Sequence, residues 1–169
     1  PDSGGSAMAN LDHSPAFWTS VATRFKDNPA VIFDLFNEPY LDYVTIHGPA
    51  GATPWSCWRD GCLIEESPDD HSSFGQWQTA GMQTLVNAVR ATGARQPIML
   101  GGLDYAQDLG AQAVANNAQA SWLEHMPSDP LSQIVASVHS YCDPQGPGQL
   151  TTLQALEDQC KAGLRSEEH

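Results

Sequence analysis

The chain has 169 residues, 41% hydrophobic and 16% charged, which is enough apolar material for one domain with a sizeable core. Twenty Asp and Glu against seven Lys and Arg give a net charge of −13, which repels phosphate backbones and anionic lipid and argues against nucleic-acid and membrane partners. No apolar run reaches transmembrane length, and the first residues, Pro1 to Asn10, have neither the charged start nor the apolar centre of a signal peptide.

Residues 1–13 are rich in Gly, Ser and Asp and read as a loop. Ser14-Pro15 has the form of an N-cap followed by proline at the first helical position. Phe17, Val21 and Phe25 recur every four residues, which predicts an amphipathic helix to about Lys26, ended by Asp27-Asn28-Pro29. Val31 to Phe36 is apolar apart from Asp34 and rich in β-branched and aromatic types, as in a parallel strand buried on both faces. The run stops abruptly at Asn37-Glu38-Pro39, where proline forces the backbone to turn. An amide and a carboxylate therefore stand at the end of a strand, where parallel α/β folds bind ligands. By composition alone the bland alternative, a polar turn, is the commoner one.

Residues 40–72 show no periodicity and read as a long functional loop. It carries Trp55 and Trp58, either as exposed plates for stacking on sugar rings or as side chains that cover a disulfide. Cys57 and Cys62 bracket Trp58-Arg59-Asp60-Gly61, whose Asp-Gly turn signal can bring the sulfurs together. A zinc site is the weaker alternative, because neither the four cysteines nor the six histidines repeat at ligand spacing, and four buried free thiols is another. Disulfides imply an oxidising, extracellular compartment. His47 and His71 read as solvated.

From Ser73 the pattern is helical again, with Trp77, Gly81, Leu85 and Val89 on one face and Gly93 at the C-terminal cap. Pro97 to Gly101 reads as a second parallel strand, ending in Gly102-Leu103-Asp104-Tyr105. Asp104 and Tyr105 are candidates to line a sugar subsite, against the plainer roles of a turn-capping Asp and a packed Tyr. Residues 110–130 read as a short helix and a loop. Gln133 to Val138 gives a third strand that closes with His139-Ser140-Tyr141, and a lone His in such a place is more often structural than catalytic. Thr151 to Gln154 fits a capping box, with Leu153, Leu156 and Cys160 on one helix face.

The string VIFDLFNEP, Val31 to Pro39, together with His139-Ser140-Tyr141, resembles the signatures of family 5 glycoside hydrolases, the cellulase family of retaining TIM-barrel enzymes. The resemblance implies an α/β fold, part of a (β/α)8 barrel, with parallel strands near 30–37, 97–101 and 133–139 as the fourth, fifth and sixth. It makes Glu38 the acid/base and Asn37 the partner of the sugar 2-hydroxyl. His139 would contact substrate, and Tyr141 would face the nucleophile. By the same resemblance Cys142 pairs with Cys160, no cofactor or metal is needed, and the parent enzyme is a secreted monomer acting on β-glucan.

Retention requires two carboxyls roughly 5–5.5 Å apart, and only Glu38 is identifiable. The family's nucleophile ends a seventh, β-branched strand that does not occur here, and Glu167 and Glu168 follow no strand. A full barrel takes about 250 residues. The chain is therefore expected to be residues 1–169 of a single catalytic barrel domain, lacking its first strands and last two, with unpaired edges and no activity of its own. The expected parent activity is endo-β-1,4-glucanase. β-Mannanase or xyloglucanase activity, or a non-catalytic carbohydrate-binding role using Trp55 and Trp58, are the alternatives.

Overall fold

In a computed structural model the chain is described over residues 6–66, 75–109 and 122–139. The first helix, α1, runs Ser14–Phe25 with Pro15 in its first turn; His13, not Ser14, occupies the cap position, without a side-chain cap. The face that meets the core also differs from the expected one. Phe17 and Phe25 are 58% and 42% exposed, whereas Ala22 is fully buried and Trp18 reaches inward to donate its Nε1–H to the Leu35 carbonyl at 3.1 Å. The reason is the neighbour: α1 lies against helix α3 (Met82–Ala91), and a small residue at the crossing lets the two backbones approach closely.

Three short strands form the parallel sheet: β1 (Phe33–Asp34), β5 (Ile98–Gly101) and β6 (Ile134–Ser137), in the order β1-β5-β6. Phe33 aligns with Ile98, and Ile98 with Ile134, so one row of apolar side chains points to the helices. The next row, Asp34, Met99 and Val135, points to the opposite face. There Asp34 and Val135 are exposed. Leu35 continues the β1 pairing, its N–H donating to the Met99 carbonyl at 3.2 Å. The β1 ladder is shorter than the expected strand because, among the described residues, β1 pairs on one side only. Gln96 seals the start of this layer by donating to the carbonyls of Phe25, Lys26 and Asn28.

The stretch expected to be an unstructured loop over residues 40–72 instead carries a 3₁₀ turn (Leu41–Tyr43), β2 (Thr45–His47), helix α2 (Pro54–Asp60) and β3 (Leu63–Glu65). With β4 (Gln76–Gln78) the strands form a second, antiparallel sheet, β2-β3-β4. Three-residue strands are too short for alternation to register in the sequence. Helix α2 has a reciprocal capping box, Thr53 Oγ1 accepting from the Ser56 N–H and Ser56 Oγ from the Thr53 N–H. The disulfide Cys57–Cys62 ties its end to β3 across a Cα separation of 5.1 Å.

Trp77 lies in β4 rather than on a helix face, since α3 begins at Met82. Gly81 is the break. Its φ of +68° excludes ordinary side chains, and a Cβ there would overlap the backbone of Asp60 and Gly61. Gly93, φ +84°, follows the end of α3 where a C-terminal glycine belongs, its N–H donating to the Arg90 carbonyl at 3.0 Å. The buried Arg90 guanidinium forks onto both oxygens of Asp129, at 2.7 and 2.9 Å, fixing the segment that leads into β6. Residues 110–121 and 140–169 lie outside the described residues, and with them Tyr141, Cys142, Cys160 and the capping box at Thr151.

Candidate active site

The C-terminal ends of β1, β5 and β6 lie side by side, because the three strands are parallel and in register. Glu38 follows β1 by four residues and His139 follows β6 by two. Their side chains meet, His139 Nδ1 lying 2.8 Å from Glu38 Oε1, with the imidazole 24% and the carboxylate 32% exposed. A carboxylate that is half-buried yet reachable, with a ring nitrogen on one oxygen, is equipped to hold and release a proton. Asn37, beside it, is exposed.

Between the two strand ends stands a turn built from left-handed backbone: Asp104, Tyr105 and Ala106 have φ of +50°, +57° and +61°. Three consecutive non-glycine residues in that region are held only by strong surroundings. The Tyr105 N–H donates to the Pro39 carbonyl at 2.9 Å, and the His139 N–H donates to the Ala106 carbonyl at 2.9 Å. One side of the turn thus pins the Glu38 loop, and the other pins His139. Gly101 and Gly102 make the approach possible. A Cβ on Gly101 would sit 3.0 Å from Ala106 Cβ and 3.3 Å from the Asn37 carbonyl, and one on Gly102 would overlap Asp108.

The Glu38 loop is braced from beneath as well. The Tyr40 N–H donates to the Ala7 carbonyl at 3.1 Å, and its hydroxyl donates to the buried Glu66, which also accepts from the Ala7 N–H at 2.6 Å. Neither Tyr40 nor Glu66 stands out in the sequence, since a buried acid reached from so far along the chain leaves no local pattern.

Trp55 and Trp58 are not exposed plates: they are 6% and 0% exposed and pack edge-to-face at 5.4 Å. Trp58 donates its Nε1–H to the Gly101 carbonyl at 2.9 Å, while Trp122 donates to the Leu100 carbonyl at 3.3 Å. The two indoles grip the end of β5, from which the left-handed turn starts. Asp104 and Tyr105 both belong to that turn; Asp104 Oδ1 accepts the Tyr43 hydroxyl at 2.6 Å.

Asp34 is a further acid that sequence reading passed over. It points to the sheet face opposite the Phe33 row, where partial desolvation pushes its carboxyl above the usual range and His139 opposes that shift through its charge. Burial also raises Asp42, whose Oδ1 accepts the Asp104 N–H at 3.3 Å. A surface pocket lined by Lys26, Asp27, Pro29, Arg95, Gln96 and Pro97 lies at the opposite, N-terminal ends of the strands and takes no part in this arrangement. Among the described residues no group of three His, Cys, Asp or Glu is placed to hold a metal ion, and no helix is long and apolar enough to cross a membrane.

Several solved structures are similar to part of this chain. Two are of XacCel5A, one of them in complex with cellopentaose; each is 22% identical over 82% of this chain and 34% of its own, with TM-scores of 0.48 and 0.49. A third is a triple mutant of the endo-beta-1,4-glucanase from Xanthomonas axonopodis pv. citri, 23% identical over 80% of this chain and 33% of its own, with a TM-score of 0.46. This chain therefore spans about a third of the length of those structures. No curated protein matches it at a significant level. The family profile described as Cellulase (glycosyl hydrolase family 5) matches residues 4–166, nearly the whole chain. The chain belongs to glycosyl hydrolase family 5, the cellulase family.

Proposed function

We propose that the chain carries the acid/base half of a retaining β-1,4-glucanase site, with Glu38 as the proton donor. The observation that supports this reading is the contact between His139 Nδ1 and Glu38 Oε1 at the C-terminal mouth of a parallel sheet. With Nδ1 protonated, the imidazole donates to Oε1 and leaves Oε2 to carry the transferable proton. Glu38 protonates the glycosidic oxygen as a second carboxylate attacks the anomeric carbon. Then, as the base, Glu38 takes a proton from the water that releases the sugar. In this reading Asn37, exposed beside Glu38, hydrogen-bonds the 2-hydroxyl.

The second carboxyl must lie roughly 5–5.5 Å from the first. Asp34 is not assigned that role: it lies within β1, four positions before Glu38, rather than beyond the end of the strand. The nucleophile is expected in a part of the barrel this chain does not span, so the 169 residues alone bind sugar without turning it over. The sheet β1-β5-β6 takes the place of the fourth to sixth barrel strands. A disulfide such as Cys57–Cys62 persists in an oxidising compartment, which fits a secreted enzyme.

The test is hydrolysis by the full-length enzyme on carboxymethyl-cellulose and on mannan. Glu38→Gln is expected to lower turnover by about 10³-fold while polysaccharide binding persists. Undiminished turnover by that variant sinks the assignment, and faster action on mannan moves the substrate class.

A further inference from the structure

Beside the Glu38 turn three tyrosine rings form a ladder. Tyr40 and Tyr43 both stack on Tyr105, with centroids 5.2 and 5.5 Å away and planes inclined by 27° and 28°. Exposure rises along the series, 9% at Tyr40, 36% at Tyr105 and 60% at Tyr43. The inner ring is anchored on the buried Glu66, and the outer ring presents itself to solvent. An exposed tyrosine on a surface turn is ordinarily mobile. This one is held from two directions, by the ring beneath it and by its hydroxyl, which donates to Asp104 Oδ1 at 2.6 Å. That bond is the main reason the phenol's pKa is pushed up to about 12, so it stays a neutral donor.

We propose that Tyr43 is a substrate-binding plate for a neutral pyranose of the glucan chain, with the Asp104 carboxylate beside it accepting the sugar's hydroxyls. This rests on the glycosidase reading and adds a subsite to it. A flat, pre-positioned ring matches the apolar face of a pyranose whose hydroxyls are equatorial, and ordering it in advance removes an entropic cost of binding. The surroundings select against other ligands. Asp42 and Asp104 both act on the phenol, Asp108 in turn acts on Asp42, and the chain's net charge is −13, so phosphate and carboxylate groups are repelled. The plate is continuous with the catalytic end. Tyr105, on which Tyr43 rests, donates its N–H to the carbonyl of Pro39, the residue after Glu38. Tyr105 itself already carries a ring on either side of the series, so the outward stacking surface belongs to Tyr43.

The experiment is titration of the full 169-residue chain with cellohexaose, followed by NMR of the tyrosine rings and of His139, with Tyr43→Ala and Tyr43→Phe as variants. Expected are a saturable shift of the Tyr43 ring, about tenfold weaker binding in Tyr43→Ala, and affinity within about threefold in Tyr43→Phe, which keeps the ring. Circular dichroism of Tyr43→Ala checks that the exposed position leaves the fold intact. If cellohexaose moves His139 while Tyr43 stays still and Tyr43→Ala binds as well as the parent, the plate is overturned and the glycosidase reading stands. If Tyr43 moves and His139 does not, the plate stands and the Glu38 reading falls. No binding by the parent chain overturns the plate.

Discussion

His139 and Glu38 are 101 residues apart in sequence, and their side chains meet at 2.8 Å. The contact exists because β1 and β6 flank β5 in one parallel sheet, so that the segments following both strands emerge at the same end of it. It couples an acid to a base in a half-buried position, which makes its contribution measurable.

In the full-length enzyme His139→Ala is expected to lower kcat by about 10- to 100-fold, since in the proposed reading the ring orients the proton donor and a misplacement of about 1 Å is that costly. If the ring acts through Glu38, the double variant with Glu38→Gln loses no more than Glu38→Gln alone. Losses that multiply would show that His139 works independently.

The Tyr43 phenol should be visible in an absorbance titration. Its pKa is pushed from an ordinary 10 to about 12, first by the hydrogen bond to Asp104. The Tyr43 phenol is expected to ionise only near pH 12, and Asp104→Asn to bring it back toward 10. The folded state favours the neutral phenol, so this bond stabilises below pH 10 and its contribution is lost as the pH rises through 12. A titration unchanged by Asp104→Asn refutes the pairing.

Asp129 runs the other way. The Arg90 guanidinium holds its carboxyl down at about 2, against an ordinary value of 3.8. A depressed carboxyl stabilises the fold above its unfolded pKa, here by about 2 kcal/mol, and loses that contribution as the pH falls from about 4 through 2. Asp129→Asn should cost about 3 kcal/mol or more at pH 7, because it strands a buried guanidinium, and should flatten the acid limb below pH 4. Denaturant melts from pH 2 to 7 check both. An unchanged slope would count against the ion pair.

The open side of the parallel sheet leads to a further expectation. Ile32 and Val135 are 55% and 44% exposed, one beside an edge that is unpaired among the described residues and the other on the sheet face opposite the Phe33 row. Parallel sheets are ordinarily covered on both faces, and bare edges recruit further strands. The isolated chain should self-associate, and Ile32→Lys with Val135→Lys should reduce this in analytical ultracentrifugation. A monodisperse parent monomer would contradict it.

What the sequence carried was local. The strand at Val31 to Phe36, its halt at Asn37-Glu38-Pro39, the cysteine pair across an Asp-Gly turn and the glycine after α3 each follow from side-chain type and spacing over a few residues. Those patterns report backbone preference and burial tendency; the strand nevertheless is shorter than its apolar run, Phe33–Asp34, and is not buried on both faces, since Asp34 and Ile32 are exposed.

Tertiary structure decided which faces and which partners. Phe17 and Phe25 fit a helix face by spacing, yet Trp18 and Ala22 face inward because α3 needs a small residue at the crossing. Trp58 is inside with its indole N–H on the end of β5 and Trp55 packs against it, and Tyr43, unremarkable in sequence, became the outer ring of a stack that Asp104 and Tyr105 complete from the end of β5. Long-range contacts of this kind depend on the sum of many weak preferences, so no single stretch of chain encodes them.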